Sequence, residues 1–509
     1  MSKQISENIS ITKTRYVNGI LLLICLAGLG LRLIPVHHSL WLDELATSWV
    51  VSDGIKQVWE RSLFNNVSPF YFYIEYISVQ LFGFNEFGLR LPSLIAGMII
   101  ILFVFKIIQL LTQSNISSLI AALLVALDAK MIYYSIEVRS YAIATLLVLI
   151  MVFYFIKTYH QNYNVKQVVV FGLLTGCLIW AHYLAAIFAI CFFAVICFKI
   201  FKQNGFNKYA FLLTGLLAIV PVLMTLPVIG QFMYVNNNKE LFGSYIQPPG
   251  LDDIFTTIPH LKYYLLLPLS LYVLTWVVNS IRKQNVAPNK LPQVVLVMFT
   301  ILPIGITFLL AFSGVLQIFI TRYIAWFLPL IILLSVYFVA AVPNRYLQVL
   351  SLGLLLLFSQ VFFSDAIIPK LLNTDFKKEL TILFTPEQNT NDWKEVVQLV
   401  NDNAVNPDKI YVKAGLIEAK SIDFNATIDP VLKAYLLSPV NSLYALKPEL
   451  ADKATPFYDV KKIAPQEGNY WVIGKLMDWD ARYIAAKGHE FTLPDCNIRI
   501  YYVPAVNTN

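Results

Sequence analysis

Long apolar runs alternate with short polar breaks over the first 363 residues of the chain. A helix needs about 20 apolar residues to cross the hydrocarbon core of a bilayer, and by that measure the pattern predicts about eleven spans. The pattern is therefore typical of a mainly α, polytopic membrane protein. The predicted spans cover residues 18–36, 88–111, 116–133, 139–157, 166–181, 183–201, 208–230, 260–281, 291–312, 320–342 and 345–363.

The pattern changes near Ser364, after which no run is long enough to span a bilayer. The segment "NDWKEVVQLVNDN" has helical spacing of its apolar residues, and "KIYVKA", "NYWVIGKL" and "NIRIYYVP" resemble short strands. We therefore predict a transmembrane domain over residues 1–363 and a small α/β domain over residues 364–509.

Composition supports a membrane protein and argues against a nucleic-acid partner. Charged residues make up 14% of the chain, compared with about 25% in soluble proteins. Hydrophobic residues make up 58%, and the mean hydropathy is +0.64. The formal net charge of +7 comes from lysines and arginines that cluster in short loops, a pattern that reports membrane topology.

These basic loops predict the orientation of the chain. Lys and Arg concentrate on the cytoplasmic side of membrane proteins, which places the N-terminus in the cytoplasm. An odd number of spans then places residues 364–509 outside, together with the loops 37–87 and 231–259. We expect a multi-pass protein of the plasma (inner) membrane. The basic residues of the predicted inner loops and span ends are Lys106, Lys157, Lys166, Lys199, Lys202, Lys208, Arg282, Lys283, Lys290 and Arg345.

Ionisable residues of both signs gather at the predicted outer ends of the spans. A charge inside a bilayer costs about 2.5–3.5 kcal/mol on insertion scales and usually serves a function. We therefore treat this group as a candidate site. Its members are Asp43 and Glu44 in "SLWLDELATSW", Glu137 and Arg139 in "YYSIEVRSYA", His182 in "WAHYLA", and Arg322 with Tyr323 in "FITRYIAWFLP".

Each of these residues also has a structural interpretation. The two adjacent acids could begin a solvated helix. In the functional interpretation, Trp41 and Trp49 anchor the loop that carries them at the lipid headgroups. Glu137 and Arg139 could form an ion pair between two helix ends. The histidine could be a hydrogen-bonded interfacial side chain, and Arg322 could extend to the interface. Their combination on one predicted face favours a site.

Several segments resemble membrane glycosyltransferases of the GT-C class, in the protein-mannosyltransferase-like (family 39-like) group, which includes protein O-mannosyltransferases and the lipid A aminoarabinose transferase. "SLWLDELATSW" resembles the "DE" motif of their first outer loop, and the other matches follow in family order. Ser68 stands where the family often has His, and Phe70 replaces a proline. The other matching segments are "NVSPFYFYIEY", "FGLRLPSLIAG", "YYSIEVRSYA", "WAHYLA", "RYIAWFLPL" and "NDWKEVVQLV".

The resemblance implies transfer of a sugar from a polyprenyl phosphate to a glycan, lipid or protein acceptor outside the cytoplasm. It makes Asp43 a candidate general base with Glu44 in support, and a single base with direct attack would invert the sugar. Arg139 and Arg322 would stabilise the leaving phosphate. The donor site would also include Glu137, His182 and Tyr323.

The resemblance makes no cofactor certain. A monophosphate leaving group needs a metal less than a diphosphate does. The use of a divalent metal is therefore left open, and no residue is assigned as its ligand.

Three alternatives stay open. The enzyme could transfer a pentose or aminosugar to lipid A or a surface polysaccharide. A transporter or flippase for lipid-linked sugars should show inverted repeats, broken spans at matched positions and charges at mid-membrane, which the sequence does not show. A sensor or assembly subunit would not require Asp43, Arg139 and Arg322.

Overall fold

The structure is a computed structural model of the 509-residue chain. It describes residues 2–64, 69–231, 248–258, 294–316, 318–342, 344–357, 391–405, 408–413, 429–460, 468–476, 478–494 and 496–505, with single residues at 233, 261, 273, 415, 416 and 463. Ser68, most of the loop 231–259 and nearly all of the run 260–281 lie outside the described residues.

The fold is mainly helical, as predicted, with several helices that mark a multi-pass membrane protein. Within the described residues, seven helices are long and apolar enough to cross a bilayer. They correspond to the first, second, fourth, sixth, seventh, ninth and tenth predicted runs. They are Arg15–Leu33, Glu86–Thr112, Tyr141–Thr158, Tyr183–Asn204, Lys208–Gln231, Val294–Phe312 and Thr321–Ala340.

Three other runs differ from simple spans. The run 116–133 is a pair of helices bent by 60°, Asn115–Leu127 and Ala129–Ile136. The break falls at Asp128, whose extended backbone ends the first helix and whose side chain accepts a hydrogen bond from the Met131 N–H at 2.9 Å. The runs 166–181 and 345–363 contain shorter apolar helices, Val165–Ala181 and Arg345–Leu356.

The helices up to residue 225 are labelled in chain order. They are α1 (Ser2–Leu33), α2 (Leu42–Val51), α3 (Ile55–Ser62), α4 (Pro69–Phe82), α5 (Glu86–Thr112), α6 (Asn115–Leu127), α7 (Ala129–Ile136), α8 (Tyr141–Thr158), α9 (Val165–Ala181), α10 (Ala186–Asn204) and α11 (Lys208–Thr225). The later helices are Asp253–Thr257, Leu302–Phe312, Leu328–Ala340, Arg345–Leu357, Trp393–Asn403, Pro430–Leu436, Ser438–Asn441, Pro448–Ala451 and Asp478–Ala485. The 3₁₀ turns are Tyr183–Ala185, Leu226–Val228 and Thr321–Phe327, and a π-turn covers Val297–Ile301.

The chain divides into two compact units. The span unit consists of residues 1–34, 93–229 and 246–380, and the loop–tail unit consists of residues 35–92, 230–245 and 381–509. The division falls within α5, after Pro92. Residues of the first predicted outer loop are thus grouped with the C-terminal residues.

Small residues and aromatic rings pack the span unit. A Cβ atom at Gly172 of α9 would lie 2.9 Å from the Val220 Cβ of α11, so glycine permits this close helix approach. The Phe299 ring of the π-turn lies 5.0 Å from the Phe155 ring and 5.3 Å from the Phe192 ring. These contacts join α8 and α10 to the π-turn.

The loop–tail unit contains the predicted α/β fold. Its sheet has the order β2-β1-β3-β5-β4, in which β1 pairs in parallel with β2 and β3, and β5 pairs antiparallel with β3 and β4. Three of these strands were predicted from the sequence, and so was the helix Trp393–Asn403. The strands are β1 (Lys409–Lys413), β2 (Ala454–Pro456), β3 (Tyr470–Gly474), β4 (His489–Phe491) and β5 (Arg499–Val503).

The short helices α2, α3 and α4 belong to the same unit. Helix α2 packs on the helix Ser438–Asn441, next to which the Ser48 and Ser442 hydroxyls lie 2.8 Å apart. The Trp49 ring packs 5.5 Å from the Tyr435 ring. Trp41 and Trp49 are only 6% and 2% exposed. The expectation that they anchor the loop in lipid headgroups is therefore wrong, because protein covers both indoles.

Candidate active site

The acid pair lies in the first turn of α2. Glu44 is fully buried, and its Oε2 accepts a hydrogen bond from the Trp41 backbone N–H at 3.2 Å. The same oxygen lies 3.3 Å from Nη2 of Arg90, which is also fully buried. Removing one partner of a buried ion pair strongly destabilises a protein, because the other charge is left buried without compensation. Glu44 therefore holds the start of α2 in place.

Arg90 connects this turn to the residues before it. Its Nη1 donates to the carbonyl oxygens of Val36 and His38, each at 2.8 Å. One guanidinium thus fixes both the segment leading into α2 and the Glu44 carboxylate. Arg90 is not among the site residues predicted from the sequence, although it is an arginine within the apolar "FGLRLPSLIAG".

Asp43 differs from its neighbour in being partly exposed. Its position in the first turn of α2 places it where the helix dipole favours a negative charge. The carboxylate of Asp43 can therefore meet a solvent-borne group while Glu44 stays enclosed. This division of environment gives the two adjacent acids different chemistry.

Residues from the C-terminal part of the loop–tail unit hold the segment before α2. The Tyr444 hydroxyl accepts from the Leu40 N–H at 2.9 Å and donates to Oε1 of Glu86 at 3.2 Å. The Lys394 ammonium lies 2.8 Å from the same Glu86 oxygen. Burial, with the charge of Glu86, raises the pKa of Tyr444. The hydroxyl therefore stays protonated and remains a donor.

A second group of predicted residues surrounds His182 in the span unit. Its ring centroid lies 5.7 Å from that of Tyr141 and 6.4 Å from that of Tyr323. Burial, together with the positive charge of Arg139, lowers the pKa of His182 to about 4. The imidazole is therefore neutral at physiological pH. Its Nδ1 has no hydrogen-bond partner among the described residues.

Two of the predicted arginines, Arg139 and Arg322, also belong to the span unit. Arg139 follows α7, and its carbonyl oxygen accepts from the Ser93 hydroxyl at 3.2 Å. The guanidinium carbon of Arg322 lies 5.2 Å from the centre of the Tyr323 ring. Glu137 caps the end of α7 and is 1% exposed. The structure thus gathers Arg139, His182 and Tyr323, with Arg322 beside the tyrosine.

Asp43 and Glu44 belong to the loop–tail unit, and the other five predicted residues belong to the span unit. That all seven form one site remains a prediction. Among the described residues, no group of three or more His, Cys, Asp or Glu side chains could hold a metal ion.

Comparison with known proteins adds a sequence match and a fold match. The family model for dolichyl-phosphate-mannose-protein mannosyltransferases matches residues 66–225. No curated protein matches the chain.

The chain is similar to ArnT from Cupriavidus metallidurans in the apo state, with a TM-score of 0.53 and 10% identity over 97% of this chain and 98% of that one. The fold is of the GT-C type. ArnT bound to undecaprenyl phosphate gives a TM-score of 0.52 and 11% identity, over 96% and 98% of the two chains. The oligosaccharyltransferase AglB from Archaeoglobus fulgidus gives a TM-score of 0.47 and 12% identity, over 91% of this chain and 70% of that one. The resemblance predicted from the motifs is thus confirmed.

Proposed function

We propose that this protein is a membrane glycosyltransferase that moves a sugar from a polyprenyl-phosphate donor to an acceptor hydroxyl outside the cytoplasm. The GT-C fold along nearly the whole chain supports this, as does the undecaprenyl phosphate held by ArnT, a protein of the same fold. The observation that carries the proposal is a partly exposed Asp43 beside a buried Glu44–Arg90 pair.

The proposed reaction is a direct displacement. The acceptor oxygen bonds to the anomeric carbon while the bond from that carbon to the phosphate oxygen breaks. The acceptor proton passes to the Asp43 carboxylate, and polyprenyl phosphate leaves with one more negative charge. Arg139 and Arg322 stabilise that charge. Attack from the face opposite the leaving group inverts the configuration at the anomeric carbon.

His182 and Tyr323 contribute hydrogen bonds in this proposal. An imidazole with a pKa of about 4 carries no charge near neutral pH, so it cannot neutralise a phosphate. It can still donate a hydrogen bond to a phosphate oxygen or a sugar hydroxyl. Glu137 supports the turn that carries Arg139.

The test uses synthetic polyprenyl-phosphate sugars with purified protein, in nanodiscs to measure transfer and in sealed liposomes to measure movement of the donor across the bilayer. The acceptor pool is a membrane glycolipid and glycan extract from a strain lacking the protein, which should retain the unmodified acceptor. Mass spectrometry should detect released polyprenyl phosphate and a product one sugar heavier. If the donor is never cleaved with any sugar, the proposal fails. Donor movement across the bilayer without cleavage would indicate a flippase.

A transferase of pentoses or aminosugars acting on lipid A or a surface polysaccharide is a finer form of the same proposal. The experiment separates it from a hexosyltransferase by the mass added to the product and by the molecule that gains that mass.

A further inference from the structure

Glu75 is a buried acid that the proposed reaction does not use. It lies within the aromatic helix α4 and is 0% exposed. Neither of its carboxylate oxygens has a hydrogen-bond partner among the described residues. A carboxylate without hydrogen bonds is costly to bury, and such groups usually take up a proton instead. The geometry therefore suits a neutral carboxylic acid.

The charged groups on the neighbouring helices lead to the same conclusion. Helix α4 packs on α2 and α3, and its Ser78 hydroxyl donates to the Gly88 carbonyl of α5 at 2.6 Å. On α2, Glu44 is negative, and on α5 the Arg90 guanidinium already pairs with Glu44. On α3, Lys56 and Glu60 are exposed, and Arg61 bonds to the Trp49 carbonyl.

These neighbours affect the ionisation of Glu75. Burial raises the pKa of Glu75 well above its ordinary value. A side-chain interaction with Tyr71, one turn earlier on α4, opposes that rise. The negative charge of Glu44 adds to the rise. A second negative charge here would also compete with Glu44 for Arg90.

We infer that Glu75 is a positioning residue, held as a neutral acid so that Glu44 keeps its ion pair with Arg90 and α2 keeps its place. Because α2 carries Asp43, ionisation of Glu75 disturbs the general base without touching substrate. The effect on Asp43 rests on the proposed function. The protonation of Glu75 does not, and it can be measured separately.

The first experiment measures the thermal midpoint of the full-length protein in detergent across pH. An acid with a raised pKa in the folded state stabilises the protein below its unfolded pKa of about 4.3, and that contribution is lost as pH rises towards the folded value. Glu75→Gln cannot ionise. The thermal midpoint of Glu75→Gln, relative to that of wild type, should therefore increase by several degrees as pH rises. The exposed Glu60→Gln is the control and should show no such gain.

An infrared spectrum gives a reading that does not depend on the variant folding well. Wild type at neutral pH should show the stretching band of a protonated carboxyl group. Glu75→Gln should lose that band, and Glu60→Gln should keep it. A wild-type spectrum without a protonated carboxyl band at neutral pH would overturn the inference.

The second experiment connects the acid to turnover. Release of polyprenyl phosphate from the synthetic donor is followed across pH. Wild type and Glu75→Asp should lose rate at alkaline pH, because both can ionise, and Glu75→Gln should lack that loss. Superimposable profiles for wild type and Glu75→Gln would refute the positioning role. If wild type shows no turnover, the proposed function fails, and the stability and infrared results still test the protonation.

Discussion

At the scale of single residues, burial separates two acids that are adjacent in sequence. Asp43 is partly exposed, whereas Glu44 is enclosed with Arg90. The first can exchange a proton with an arriving hydroxyl. Glu44 forms an ion pair with Arg90 and a hydrogen bond at the start of α2. The two adjacent acids therefore have different environments, and we propose different roles for them.

Asp43→Asn keeps the shape of the side chain and removes the proposed general base. We expect turnover to fall by about 10²-fold or more, the usual scale for loss of a general base. The thermal midpoint and donor binding should stay near wild type. Asp53→Asn, an exposed acid paired with Arg61 in the same unit, is the control. Near-normal transfer by Asp43→Asn would exclude it as the base.

Glu44→Gln should behave differently from Asp43→Asn. It leaves the buried Arg90 guanidinium without its counter-charge, and breaking a buried pair costs about 3–5 kcal/mol. We expect a large fall in the thermal midpoint, with turnover per folded molecule less affected than in Asp43→Asn. A loss of turnover as great as that of Asp43→Asn, at an unchanged midpoint, would give Glu44 the larger catalytic role.

Arg322 is predicted to stabilise the leaving phosphate. Arg322→Ala should reduce turnover and donor binding much more than stability, and Arg322→Lys should recover only part, because an ammonium lacks the planar fork of a guanidinium. The exposed Arg345→Ala is the control. Donor binding measured with the synthetic polyprenyl-phosphate sugar tests whether Arg322 contacts the donor phosphate. Unchanged binding and turnover in Arg322→Ala would remove it from the mechanism.

His182 should make the protein sensitive to acid. Its pKa is about 4 in the folded state and about 6.5 when unfolded. Between these values the unfolded chain binds the proton more readily, so stability falls as pH falls, by about 1.4 kcal/mol per unit. His182→Gln should lose less stability than wild type on acidification. Parallel curves for the two proteins would contradict this.

At the scale of elements, the local pattern of apolar residues predicted helices and strands but neither the bend in one helix pair nor the contacts between distant segments. The helix Trp393–Asn403 was predictable because Trp393, Val396, Val397 and Val400 repeat at helical spacing and are all buried. The bend at Asp128 was missed because apolar residues continue on both sides of it. The Tyr444–Leu40 hydrogen bond joins residues 404 positions apart. No local pattern records such a contact.

That contact makes a prediction about helix α2. Tyr444→Phe removes the acceptor of the buried Leu40 N–H, and an unsatisfied buried group costs about 1–3 kcal/mol. We expect a lower thermal midpoint and a lower kcat with little change in donor KM, because the change reaches α2 rather than the donor. Tyr483→Phe, at a partly exposed tyrosine, is the control. A fall in donor affinity with unchanged kcat would argue against this role.

At the scale of the whole molecule, the distribution of charge predicts the orientation in the membrane. Lys157 and Lys166 flank the connection between α8 and α9, which the positive-inside rule places in the cytoplasm. The loop 37–87 and the C-terminal residues should then be outside. The proposed reaction needs this arrangement, because the acceptor arrives from water while the lipid of the donor stays in the bilayer.

Single introduced cysteines test this orientation in a background with Cys496→Ser and the other four natural cysteines, Cys25, Cys177, Cys191 and Cys197, replaced by alanine. Burial raises the pKa of the Cys496 thiol, so it reacts slowly, and the substitution removes it entirely. Cysteines replacing the exposed Glu60 and Glu449 should react with a membrane-impermeant maleimide in intact cells or spheroplasts. A cysteine at the exposed Asn162 should react only after permeabilisation. Labelling of Asn162→Cys in sealed cells, or protection of Glu60→Cys, would place Asp43 on the cytoplasmic side. A base there could not meet an acceptor outside the cell, and the proposed reaction would fail with it.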